Sequence, residues 1–74
     1  MSQGGVETFH ENGKWFNRVE GERGVLGPYT SRSEAEGAGR EEARRRRREH
    51  VVLDEGGNVS ERHPYGEDPR DARR

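Results

Sequence analysis

Residues 49–70 read EHVVLDEGGNVSERHPYGEDPR, and this block constrains the fold more than any other part of the chain. Val51, Val52 and Leu53 form a short apolar run. Residues 55–58 carry adjacent glycines, and residues 59–62 open on the β-branched Val59 and run up to Pro64. The pattern predicts a strand, a turn and a second strand. Gly56-Gly57 tolerates the positive φ of a tight turn, and proline cannot donate to a continuing ladder. A lone hairpin is marginal in water, so the rest of the chain must supply its partners.

Those partners are legible upstream. Residues 6–11 read as a strand, Asn12-Gly13 as a two-residue hairpin turn, and residues 14–20 as the return strand carrying Trp15, Phe16 and Val19. Gly21-Glu22-Arg23-Gly24 is a second turn. Residues 24–29 then form either a short third strand or an extended lead into a helix, and Pro28 confines a strand there to a sheet edge. Ser31 with Glu34 three residues on has the spacing of a capping box, in which hydroxyl and carboxylate each serve a free backbone N–H. Ala35, Ala38, Gly39 and Ala43 recur at near-helical spacing and give a narrow face of small residues suited to close approach to a sheet. Glu34 and Glu36 near the start and arginines at 44–48 near the end suit the helix dipole. The spacing predicts a helix over residues 32–48.

The order β-β-(β)-α-β-β implies an α+β domain, a single helix packed on a four- to five-stranded antiparallel sheet. One domain over residues 6–66 is expected, with residues 1–5 as a disordered lead-in and 67–74 as a flexible charged tail. With 24% hydrophobic and 39% charged residues in 74, the core must be thin. A formal net charge of -1 weighs against disorder, which usually pairs low hydrophobicity with high net charge. No cysteine is present, which excludes disulfides and thiolate metal sites. No apolar run exceeds three residues, too short for a membrane helix or a signal-peptide core. A soluble, cytoplasmic protein with no membrane contact is the expectation.

Several motifs carry a resemblance. His10-Glu11-Asn12-Gly13-Lys14-Trp15 opens the chain, Ser31-Arg32-Ser33-Glu34-Ala35 starts the helix, and Gly39-Arg40-Glu41-Glu42-Ala43 occupies its centre. Val51-Val52, Gly56-Gly57, Val59, Glu61-Arg62 and Tyr65-Gly66-Glu67-Asp68-Pro69 close it. Together they resemble the small bacterial and archaeal proteins of domain-of-unknown-function family 2188, over about residues 6–70. Asn17 departs from the pattern, standing where an apolar strand residue is usual, and Thr8-Phe9 replaces a Val-Pro-like pair. The resemblance implies the fold and no activity. Tyr65 is expected to anchor the chain end on the sheet.

Candidate chemistry is sparse. Arg40, Arg44, Arg45, Arg47 and Arg48 are the candidate contacts to nucleic acid or to an acidic partner, since arginines on a helix neutralise phosphates. From residue 32 to 49, however, seven arginines share the segment with five glutamates. Glu36–Arg40, Glu41–Arg45 and Glu42–Arg46 fall at the i,i+4 spacing of intrahelical pairs, so a solvated helix face is the plainer reading. Trp15, Phe16 and Tyr29 read as core before they read as a base-stacking platform. The run Gly13-Lys14-Trp15, Leu26-Gly27, Tyr29 and Ser33-Glu34-Ala35 is also similar to three-stranded-sheet DNA readers. Lys14, Arg18 and Arg23 there stand beside Glu7, Glu11, Glu20 and Glu22, a balance that repels phosphate. His10, His50 and His63 lack paired-ligand spacing and are expected at the surface, with no metal or cofactor. Ser31, Ser33 and Ser60 lack an identifiable base, so catalysis is not expected. What remains is a small interaction module with a protein partner or in a homodimer, formed by pairing a sheet edge or by stacking a sheet face on its twin. Nucleic-acid binding through the helix arginines is the alternative.

Overall fold

Asn12 and Gly13 both take positive φ, 54° and 80°, and fold β1 (Val6–Glu11) back on β2 (Lys14–Val19). The computed structural model describes residues 5–65, in which β3 (Leu26–Tyr29), α1 (Arg32–Arg46), β4 (His50–Leu53) and β5 (Val59–His63) follow. Residues 24–29 thus do hold a strand, a short one at the sheet edge, where the missing N–H of Pro28 does least harm. The tail expected at 67–74 lies outside the described residues, as does the lead-in apart from Gly5.

The five strands form one sheet in the order β3-β2-β1-β4-β5, with α1 packed on one face. The sheet is mixed, which corrects the purely antiparallel expectation: β1 and β4 run parallel, Val6 opposite His50 and Thr8 opposite Val52. The connectivity explains it. Three meandering strands leave the chain at the far end from where β1 began, and α1 carries it back across the sheet. β4 therefore starts where β1 started, beside the one edge of β1 that β2 left open. The remaining pairs are antiparallel.

Alternation assigns the faces. Val6 and Thr8 of β1, Trp15, Asn17 and Val19 of β2, and His50 and Val52 of β4 are buried toward the helix. Ala35, Gly39 and Ala43 of α1 meet them, while Ala38, expected on the same face, is only half-buried. Tyr65 packs against the cluster of Val6, Val19 and Ala43, closing the open end of this thin core as expected of it.

Ser31 caps α1, accepting from the Glu34 N–H at 3.1 Å. The reciprocal half of the expected box is displaced by one residue: the Glu34 carboxylate takes the Thr30 N–H at 3.0 Å and the Thr30 hydroxyl at 2.6 Å. The helix ends at Arg46 rather than at 48. Arg47 turns left-handed, φ 58°, so that its N–H reaches the Arg44 carbonyl and the Arg48 N–H reaches that of Ala43. That is the closing pattern usually given to glycine. In the last hairpin, Asp54 Oδ1 accepts from both the Gly56 and Asn58 N–H groups at 2.9 Å, and Gly57 supplies the positive φ.

Candidate functional site

Three features stand out among the described residues: the helix arginines, the sheet face away from the helix, and a buried polar cluster that sets where the helix lies.

The arginines do not make one patch. Arg40 and Arg44 stand one turn apart, both exposed and both without an acidic partner among the described residues. Arg45 is paired with Glu42. Arg47 forms the left-handed cap, and half-buried Arg48 extends an Nη1–H toward the Glu20 carbonyl at 3.4 Å. Arg46, absent from the expected contacts, is the most engaged. It bridges Glu42 and Glu22, both at 2.7 Å, and fastens the helix end to the β2–β3 turn. The Arg46 guanidinium foremost, with Arg45 adding to it and partial burial opposing both, holds the Glu42 carboxyl below the usual carboxylate range. Of the expected i,i+4 pairs, Glu42–Arg46 forms, whereas Glu36 takes Arg32 at 2.6 Å. Arg32 also lies over the Trp15 ring, 5.6 Å from its centroid, and donates to Ser60 Oγ at 2.9 Å. The strand irregularity between Val52 and Leu53 puts Ser60 within that reach.

Among the described residues, no helix lies over the far face of the sheet. Phe9 and Phe16, adjacent across β1 and β2, stack there with centroids 5.5 Å apart. Phe16 was expected in the core with Trp15. Consecutive residues on a strand must part to opposite faces, and Trp15 won the covered one. The Arg18 guanidinium lies 4.7 Å from the Phe9 centroid and donates to Glu7 Oε1 at 2.7 and 2.9 Å. Glu11 sits opposite Lys14 at the other end of the hairpin. Val51 and Leu53 extend the apolar part of this face onto β4, and Arg62 pairs with Glu49 at 2.8 Å at its border.

Beneath Gly39 lies the third feature. Thr8 Oγ1 is 2.5 Å from Asn17 Oδ1 and 2.8 Å from His50 Nε2, and Asn17 Nδ2 donates to the Ala35 carbonyl at 2.9 Å. All three side chains are at most 2% exposed. The network fixes its own protons. The Ala35 carbonyl requires the amide nitrogen of Asn17, leaving Oδ1 to face Thr8. The Thr8 hydroxyl then donates to Oδ1, so His50 must donate from Nε2. His50 Nδ1 is left as a bare lone pair, buried and without a hydrogen-bond partner among the described residues. The surface position expected of His50 is thus corrected: its alternation with Val52 puts it on the helix face. Burial first, then the neighbouring charge of His63, lowers its pKa below the usual histidine value. The same geometry accounts for Asn17, the residue that departs from the family pattern. Its amide spans from strand to helix backbone, which an apolar side chain cannot do.

No helix among the described residues is long and apolar enough to cross a membrane. Comparison with curated proteins and with solved structures gave no match. The family described as "Uncharacterized protein conserved in bacteria (DUF2188)" matches residues 6–65, from the first residue of β1 to the tyrosine that closes the core. With that match spanning the whole sheet and its helix, the chain belongs to the DUF2188 family.

Proposed function

We propose that this domain is a small, non-catalytic interaction module that binds protein through the uncovered face of its sheet. The observation that carries the reading is the Phe9–Phe16 stack, set among paired charges on a face that no other element covers among the described residues. Aromatic side chains with a guanidinium beside them are the residue types that concentrate binding energy at protein interfaces. Two of the three candidate serines, by contrast, are committed to structure, Ser31 as the helix cap and Ser60 as the acceptor for Arg32. The lack of cysteine fits a place in a reducing cytoplasm.

The test is a photo-reactive benzophenone side chain in place of Phe16, irradiated in living host cells. A crosslinked polypeptide adduct is expected at this position and not from the same group in place of Arg44. No adduct from position 16 would overturn the reading.

Nucleic-acid binding is the second reading, and exposed Arg40 and Arg44 favour it. Two unpaired cations make a small electrostatic footprint. Titration with DNA and RNA at two salt concentrations decides it: salt-sensitive binding lost on Arg40→Ala with Arg44→Ala supports this reading, and no binding at low salt ends it.

A further inference from the structure

We propose that the occupant of the uncovered sheet face is a second copy of this chain, stacked face to face about a two-fold axis running parallel to β1 and β2 and between them. The inference rests on the interaction reading above and names its partner.

The far face of the β1–β2 hairpin carries three rows: Glu7 beside Arg18, Phe9 beside Phe16, and Glu11 beside Lys14. Each charged row has one sign on β1 and the other on β2. A two-fold axis along the strands preserves the rows and exchanges the strands. It sets Glu7 over the partner copy's Arg18 position, Glu11 over its Lys14 position, and Phe9 over its Phe16 position. Both charged rows become squares of alternating sign around a four-ring aromatic centre. An axis across the strands does the opposite, laying β1 on β1 with its rows reversed. Glu7 then meets Glu11 and Arg18 meets Lys14, and like charges at such a contact are costly. The ladder therefore selects one symmetry, and the strands lie in the near-parallel alignment that stacked sheets adopt.

Edge pairing is a weaker competitor. An antiparallel pairing of β5 with its own copy about an axis through the sheet at Glu61 or Arg62 sets Glu61 against Glu61 or Arg62 against Arg62, the kind of charge that blunts an edge. Five strands of this length present roughly 400–500 Å² of sheet per protomer. That is at the low end for a specific interface, so association is expected to depend on concentration, with dissociation in the micromolar range or above.

The experiment is sedimentation equilibrium of the full chain from about 5 μM to 1 mM, with variants checked for fold by circular dichroism. The wild-type mass should rise from 8.5 kDa toward twice that value. Glu7→Arg alone and Arg18→Glu alone each place like charges in one square and should weaken association at least tenfold. An equimolar mixture of the two restores alternating signs across the interface, since each copy supplies the charge the other lacks, and should associate as the wild type does. A wild-type chain that stays at 8.5 kDa at 1 mM overturns the proposal, as does a dimer indifferent to both substitutions or a mixture that stays monomeric. The two ideas fail separately. Crosslinks from position 16 to a different polypeptide alone, with a monomer in vitro, sink the homodimer and keep the interaction module. No crosslink at all sinks the module.

Discussion

Gly39 rests directly on the imidazole of His50: a Cβ on residue 39 would stand 2.6 Å from Nε2, closer than such atoms approach. The same Cβ would lie 2.6 Å from Asn17 Oδ1 and 2.7 Å from Thr8 Oγ1. Helix and sheet meet here without a side chain between them, and the polar atoms of three strands fill the space a methyl group would need. The glycine of the Gly39-Arg40-x-x-Ala43 motif is a packing requirement, with Ala43 buried one turn later on the same face.

Gly39→Ala should therefore destabilise the domain by about 1–3 kcal/mol, overpacking outweighing the helix propensity gained. Gly37→Ala, two residues away on the same helix with open space where its Cβ would go, should stabilise by about 0.5–1 kcal/mol. Urea unfolding of the two variants should move the midpoint in opposite directions. A stabilised Gly39→Ala would show that the helix does not lie this close.

Thr8 is the hub of the buried network, joining Asn17 and His50 with one hydroxyl. Thr8→Val keeps the shape and removes the oxygen, stranding the Asn17 carbonyl and the His50 Nε2–H in the core. A loss of about 2–4 kcal/mol is expected for the two abandoned groups. Chemical denaturation would read it, and a loss below about 0.5 kcal/mol would argue against the proton arrangement derived above.

His50 links stability to pH. Its folded-state pKa lies below that of the unfolded chain, where a histidine titrates near ~6.5, so the unfolded chain binds the extra proton first. Burial is the main cause; His63 and Arg40 add to it, and Glu36 and Glu61 oppose it. Stability should be complete above about pH 6.5 and fall as pH drops below it, by up to about 1.4 kcal/mol per pH unit. Denaturation at pH 7.5, 6 and 5 should show this slope in the wild type and lose it in His50→Gln. Parallel profiles for the two proteins would exclude His50 as its source.

Arg47 holds a left-handed backbone at the end of α1, φ 58°, where glycine carries no Cβ penalty. Arg47→Gly should raise stability by about 0.5–1 kcal/mol, visible as a higher thermal midpoint. A lower midpoint would mean that the Arg47 side chain contributes more than its backbone costs.

Much of this fold was legible because it is local. Asn12-Gly13 announces a turn with two positive φ angles, and Ser31 announces a helix start, since each acts on backbone groups within a few residues. The helix end was harder to place: glycine is the usual signal for a left-handed cap, and here arginine carries one at a cost the rest of the structure absorbs. His50 was readable in principle, because alternation with Val52 assigns it to the covered face, but a polar residue beside two valines does not reveal whether partners await it. The arginine run looked like a single patch in sequence. In space Arg46 and Arg45 are turned to Glu42 and Arg48 reaches a backbone carbonyl, while Arg40 and Arg44 stand exposed without acidic partners among the described residues.

By itself the sequence determined the hairpin turns, the helix with its Ser31 cap, the strands of the two hairpins and the family, because these depend on hydrogen bonds and backbone preferences spanning a few residues. The tertiary structure decided the rest. It set β4 parallel to β1, since one helix returns the chain to the end of the sheet where β1 began, beside the edge of β1 that β2 left open. It put Trp15 under the helix and Phe16 on the bare face, since one layer of helix covers only one side of a sheet. It also joined Thr8, Asn17 and His50, distant in sequence, under a glycine whose missing side chain is the space they occupy.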